Sequence, residues 1–149
     1  MNRFFCLAGV LVLAVVGCSK EGASKLDSYS KNGACSIDVP TKGASLPADQ
    51  PFAIGGWAFD QVNATVPSVV TIYLANQSTG NAVTIDAQRG TKREDVAQAF
   101  ENSLFVDAGF DASIEANKLT PGTYEIVVAQ ADEQAPPISC GGEHTISIK

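Results

Sequence analysis

The 149 residues hold a single histidine, a single tryptophan and a single methionine. One histidine and a few scattered cysteines do not make a four-ligand zinc set. His144 follows Gly141, Gly142 and Glu143 and lies near Ser139 and Cys140 in sequence. Neighbours on one strand or loop are not a catalytic triad, which is a matter of geometry, so His144 reads as a surface residue. Positive charge is also scarce: 10 Lys and Arg stand against 16 Asp and Glu, a net charge of −6. Nucleic-acid binding needs a basic patch, so that partner class is excluded, as is a polybasic face for anionic lipid. The apolar run from Phe4 to Val16 has 13 residues, short of the ~20 that cross a bilayer. No glycine-rich loop closes a strand and opens a helix, so a phosphate cradle is missing. Asp132 and Glu133 sit beside Gln134 in what reads as a solvated loop. No cofactor, metal or catalytic residue is called for, and the chain reads as a non-enzyme.

The front of the chain is more informative. Arg3 followed by the Phe4–Val16 run fits the charged and apolar regions of an export signal. The run ends Val15-Val16-Gly17-Cys18, which resembles a bacterial lipobox. That resemblance implies cleavage before Cys18, a diacylglycerol on its thiol and an acyl chain such as palmitate on the new amine. Two or three chains anchor stably where one does not. The competing reading is an ordinary signal peptide with Cys18 in place by chance. By resemblance to lipoprotein sorting in Gram-negative bacteria, Ser19 in place of Asp implies the outer membrane. Residues 1–17 are then the leader and 18–33 a lipidated tether. Residues 19–33 are small and polar without periodicity, and fifteen such residues reach roughly 20 Å as a flexible coil.

Of four cysteines, Cys6 belongs to the leader and Cys18 to the lipid. Cys35 and Cys140 remain, in a compartment where disulfides persist. A bridge between them would close a loop of about 100 residues and contribute up to ~4–5 kcal/mol in the chain-entropy account. Two free thiols or a metal site are the rival readings.

Residues 34–149 read as one domain of short strands. Cys35, Ile37 and Val39 alternate with polar residues, as do Val83, Ile85 and Ala87, then Phe110, Ala112 and Ile114. This period of two marks half-buried strands. Phe52–Phe59 is a further strand, interrupted by Gly55-Gly56. A bulge at the glycines would bring Trp57 and Phe59 onto the face of Phe52 and Ile54. Val69–Leu74 is apolar enough for a central strand covered on both faces. Tyr124–Ala131 and the segment containing Thr145–Ile148 complete seven strands. Thr91 and Glu94 have the spacing of a capping box, and Val96, Ala97 and Phe100 share a helical face, predicting one short helix near 92–101.

Leu119-Thr120-Pro121-Gly122-Thr123-Tyr124 resembles the strand E to F corner of immunoglobulin-like and fibronectin type III domains, where the tyrosine hydroxyl bonds back to the backbone. Gly56-Trp57-Ala58-Phe59-Asp60, then Arg93-Glu94-Asp95-Val96 and Gly109-Phe110, are similar in order to an immunoglobulin-like module of bacterial envelope proteins. The expected fold is all-β, an immunoglobulin-like antiparallel sandwich with one short helical insertion. The Cys…Trp…Cys spacing of antibody domains is not present.

Three groups are candidates for chemistry. Trp57 is read first as core, with a sugar platform or partner contact as alternatives. Arg93 and Asp95 are read as an ion pair locking the helix to the strand from Trp57 to Asp60, with a ligand role second. Asp60, Asp107 and Asp111 lack the compact spacing of a calcium loop. The functional expectation is a non-enzymatic envelope lipoprotein, held to the membrane by its lipid, that binds another envelope protein or supports an assembly. The alternative is a saccharide-binding module using Trp57, Tyr73 or Tyr124 on envelope polysaccharide. A carboxylate hydrolase ranks third.

Overall fold

The computed structural model describes residues 25–133 and 135–149. The expected leader and lipobox, Cys18 included, lie outside them. The strands are β1 (Gly33–Val39), β2 (Ser45–Leu46), β3 (Phe52–Asp60), β4 (Val69–Asn76), β5 (Ala82–Thr91), β6 (Gly109–Ile114), β7 (Gly122–Asp132) and β8 (Ala135–Ile148). One α-helix, α1 (Glu94–Ala99), and a 3-10 helix, Ser103–Asp107, stand between β5 and β6. Strand order is β1-β3-β6-β5-β4-β7-β8-β2. All pairings are antiparallel except the two-residue contact of β2 with β8.

β5 makes a sandwich out of this curled sheet. Its first part, Ala82 to Ala87, pairs with β4. Its last part, Gln88 to Thr91, pairs with β6. One layer is thus β1-β3-β6 with the end of β5, and the other is the start of β5 with β4, β7, β8 and β2. Ile54, Ala58, Phe110 and Ile114 from the first layer meet Val70, Ile72, Leu74, Ile126, Val128 and Ile146 from the second in one buried core. The expected immunoglobulin-like sandwich with a short helical insertion is the observed fold. The predicted corner is present as well: the Tyr124 hydroxyl donates to the Thr120 carbonyl at 2.9 Å, with Leu119 buried.

The predicted disulfide is formed. Cys35 on β1 and Cys140 on β8 are bridged across 105 positions, with Cα atoms 6.0 Å apart. β1 is first and β8 next to last in the strand order, so the bond closes the sandwich where backbone pairing does not.

Three local expectations need correcting. β3 carries no bulge: its register against β6 runs unbroken from Phe52 to Trp57. Ile54, Gly56 and Ala58 therefore face the core, while Trp57 and Phe59 face outward. The irregularity lies in β1 instead, between Ile37 and Val39. Gly56 is required there because a Cβ would stand 2.0 Å from the Ser36 carbonyl oxygen. The helix also starts later than the capping-box spacing implied. Its N-cap is Arg93, with no side-chain cap, because Thr91 is still in β5 and its hydroxyl binds Asp111. Finally, the packed chain begins before Ala34. Leu26 is 8% exposed against Tyr73 and Ala129, and Ser30 bridges to Ile138, so residues 25–33 of the expected tether lie on the domain.

Candidate functional site

The outer face of the β1-β3-β6 layer gathers most of the residues singled out in the sequence. Because β3 runs without a bulge, Trp57 and Phe59 project from it side by side, stacked with ring centres 5.4 Å apart. The insertion between β5 and β6 folds over them. Phe105 of the 3-10 helix stacks on Phe59 at 3.9 Å, and Phe100 closes edge-on to Phe59 at 4.8 Å and to Trp57 at 5.5 Å. Phe59, Val96, Phe105 and Ala108 are buried in this second small core, with Trp57 half-buried at its rim. Asn102 caps the 3-10 helix through its side-chain oxygen, which accepts from the Leu104 N–H at 3.0 Å.

The cover is incomplete. Phe100 remains 43% exposed and Leu104 63% exposed. Phe100 contacts the Trp57 and Phe59 rings, and Leu104 stands in the 3-10 helix next to the buried Phe105. Single exposed apolar residues are ordinary; what stands out here is that both exposed residues, the ridge of this face, belong to a segment rooted in a buried aromatic stack.

Arg93 fixes the base of the insertion. Its guanidinium clasps Asp95 through two bonds, at 2.9 and 2.7 Å, and reaches Asp38 on β1 at 2.6 Å. The predicted Arg93–Asp95 pair exists, but its strand partner is β1, not the Trp57–Asp60 segment of β3. The bidentate bonds from Arg93 hold the Asp95 carboxyl down to about 2. The same bonds raise the Arg93 guanidinium above its ordinary value. Both partners are engaged with each other, so this cluster is a clasp. Lys92 pairs with Asp107 beside it.

The carboxylates considered for calcium do not converge. Asp60 is 3% exposed at the end of β3. It accepts from the Val62 and Asn63 N–H groups at 2.9 and 3.0 Å, and from the Asn63 amide at 2.7 Å. Burial works to raise its carboxyl, but these donors outweigh burial and hold it below the usual range. Asp107 and Asp111 are taken by Lys92 and Thr91. No group of three or more His, Cys, Asp or Glu that could hold a metal occurs among the described residues. His144 is half-buried and its Nε2 lies 2.8 Å from the Pro40 carbonyl oxygen, so it is not a free surface side chain. It lines a groove of about 360 Å³ between β1 and β8 with Lys42, Glu143 and Cys35.

Two proposed sugar platforms are buried. Tyr124 belongs to the corner, and Tyr73 is 6% exposed beneath Leu26 and Tyr29. Burial, with the Tyr29 hydroxyl 3.4 Å away, pushes the Tyr73 hydroxyl up to about 12.

Sequence reasoning missed Arg89. Its guanidinium bonds to the carbonyls of Pro67, Ala58 and Ala108 at 2.9, 2.8 and 2.7 Å. Its fourth acceptor is the Gln130 side-chain oxygen at 2.8 Å. Gln130, 1% exposed, donates in turn to the Phe59 carbonyl at 3.3 Å. Burial pulls the Arg89 guanidinium down to about 10, still charged at neutral pH. It ties the layers together where β5 passes from one to the other. A signal was present: Arg89 continues the inward phase of Ile85 and Ala87, and Gln130 that of Ile126 and Val128.

No family model matches the sequence, and no curated protein matches it. Among solved structures, this chain is similar to the S-layer protein SbsC domains 4 and 5, at 12% identity and a TM-score of 0.35. The match covers 78% of this chain and 53% of that one.

Proposed function

We propose that this chain is a lipid-anchored bacterial envelope protein, exported and acylated at Cys18, whose domain binds another envelope protein and catalyses nothing. The observation that carries the binding role is the ridge of Phe100 and Leu104 over the Trp57–Phe59–Phe105 stack. An exposed apolar cluster on a rigid base is what a partner contact uses: aromatic anchors held in place by packing behind them. The disulfide supports an oxidising compartment, the Val15–Cys18 motif supports the anchor, and Ser19 supports the outer membrane.

Two measurements test this reading. Cys18→Ala should leave an uncleaved or soluble form, and wild-type levels of that variant in detergent-extracted membranes would end the lipid claim. The native chain should run as a higher-mass complex in solubilised envelopes, and a Phe100→Asp/Leu104→Asp variant should fold and fractionate normally but lose that complex. Retention of that complex would remove the ridge from the function. The saccharide reading keeps one supporting observation, the half-buried rim of Trp57, and predicts a fluorescence change with envelope polysaccharide. A flat titration counts against it.

A further inference from the structure

The N-terminal segment of the domain is docked on one outer face of the sandwich. Leu26 and Tyr29 pack on Tyr73, Ala82, Val127 and Ala129, the outer face of β4, β5 and β7. The chain then turns round the start of β8. Ser30 N–H donates to the Pro137 carbonyl at 3.3 Å, and Ser139 N–H to the Ser30 carbonyl at 2.8 Å. This strap therefore begins on the sheet face opposite the one that bears the Phe100–Leu104 ridge.

Chain length makes the placement consequential. Only eight Cα steps separate Cys18 from Leu26, and whatever conformation they take they span at most about 28 Å. A domain of this size is about 35 Å across. An anchor starting on the strap face cannot pass round the sandwich and bring the ridge face to the bilayer. A leash running freely to Ala34 would have about twice the length and would permit either orientation.

We propose that the outer face of β4, β5 and β7, with the docked Leu26–Ser30 strap, is the membrane-facing surface of the anchored domain, which presents the Phe100–Leu104 ridge away from the bilayer. This rests on the reading of Cys18 as the lipidated residue. The bilayer is the occupant that chain continuity supplies, and the acidic side chains of this surface are spread rather than clustered: Asp86 on β5 lies 3.4 Å from the Thr71 hydroxyl, Glu125 on β7 stands opposite Ala75, four residues further along β4, and Asp27 is exposed on the strap.

The single tryptophan provides the test. The mature acylated chain is reconstituted into phosphatidylethanolamine and phosphatidylglycerol vesicles carrying a nitroxide on the lipid headgroup, and tryptophan quenching is read. Native Trp57 should be little quenched. Trp57→Phe/Thr84→Trp, which moves the fluorophore to the strap face at an exposed position opposite Tyr73, should be quenched several-fold more. Trp57→Phe/Asp86→Trp repeats the measurement should the first variant fold poorly. Equal quenching, or stronger quenching of Trp57, overturns the orientation. Leu26→Ser/Tyr29→Ser frees the strap and should equalise the two positions; an unchanged ratio shows that the strap does not set the orientation and overturns the proposal. Vesicle co-sedimentation separates the layers of the argument. If the native chain stays in the supernatant, the lipid reading fails and the orientation falls with it. If the chain sediments and the quenching is inverted, only the orientation fails.

Discussion

Each layer of the sandwich carries a small apolar cluster on its outer face, and the two are covered in different ways. On β4 and β7 the cover is the strap, which buries Tyr73 and Ala129 under Leu26. On β3 it is the helical insertion, which buries Phe59 and Phe105 but leaves Phe100 and Leu104 in solvent. Among the described residues the strap lies on one face and round one edge and joins the sheets through Ser30 and β1. The insertion is tied at both ends to β5 and β6 and clasped through Arg93 to β1. A cover fixed at both ends can carry exposed apolar residues without peeling away, whereas the strap holds to its sheet by what it buries.

The largest effect should leave this contrast intact. Replacing Cys35 and Cys140 by Ala releases β1 from β8 and should cost about 4–5 kcal/mol in the chain-entropy account, read by denaturant unfolding; a loss below about 1 kcal/mol would show that the cross-link constrains little. The comparison itself is broken by Phe105→Ala, which empties the centre of the β3 cluster and should cost about 3–4 kcal/mol. Leu26→Ala should cost less, about 2 kcal/mol, because the strap can detach while the sandwich persists. Hydrogen exchange should then show protection lost at residues 25–30 alone. A global loss of protection in Leu26→Ala would make the strap part of the core.

Asp60 gives a pH-dependent test. Its carboxyl is held below its ordinary value by its three donors, as that of Asp95 is by Arg93. The stability such groups contribute is fully present above the unfolded carboxylate value of 3.8 and is lost as pH falls through the folded one. Thermal stability should therefore fall between about pH 4 and about pH 2. Asp60→Asn should lose about 1–2 kcal/mol at neutral pH and show a shallower acid decline. An equally steep decline would assign the acid sensitivity elsewhere. The smallest effect is expected at the ridge: Leu104→Ser should change stability by less than about 0.5 kcal/mol, since its side chain is already in water.

Much of the scaffold was legible because it follows local rules. Alternation placed Ile37, Val83, Ile85, Phe110 and Ile114 inward, and Leu119 to Tyr124 marked the corner. The faces of β3 were misread because two adjacent glycines fit a bulge as well as a close approach, and only the position of the Ser36 carbonyl distinguishes them. Leu26 and Tyr29 were lost among small polar residues, since two apolar side chains in such a stretch carry no period. Their burial comes from Tyr73 and Ala129, far along the chain. Arg89 and Gln130 were in phase with the core but polar, and what satisfies them is a set of carbonyls brought together by the crossing of β5. The ridge followed the same logic: Phe100 was placed on the apolar helical face, but its exposure depends on where Phe105 stacks.

The assignment of different roles to the two faces is tested most directly by photo-crosslinking in intact cells. A photoreactive residue at Leu104 should yield a discrete protein adduct that Phe100→Asp abolishes. The same group at Thr84 should yield adducts with lipid and no discrete protein band. A protein adduct of equal strength at both positions, or one at Thr84 alone, would contradict the account.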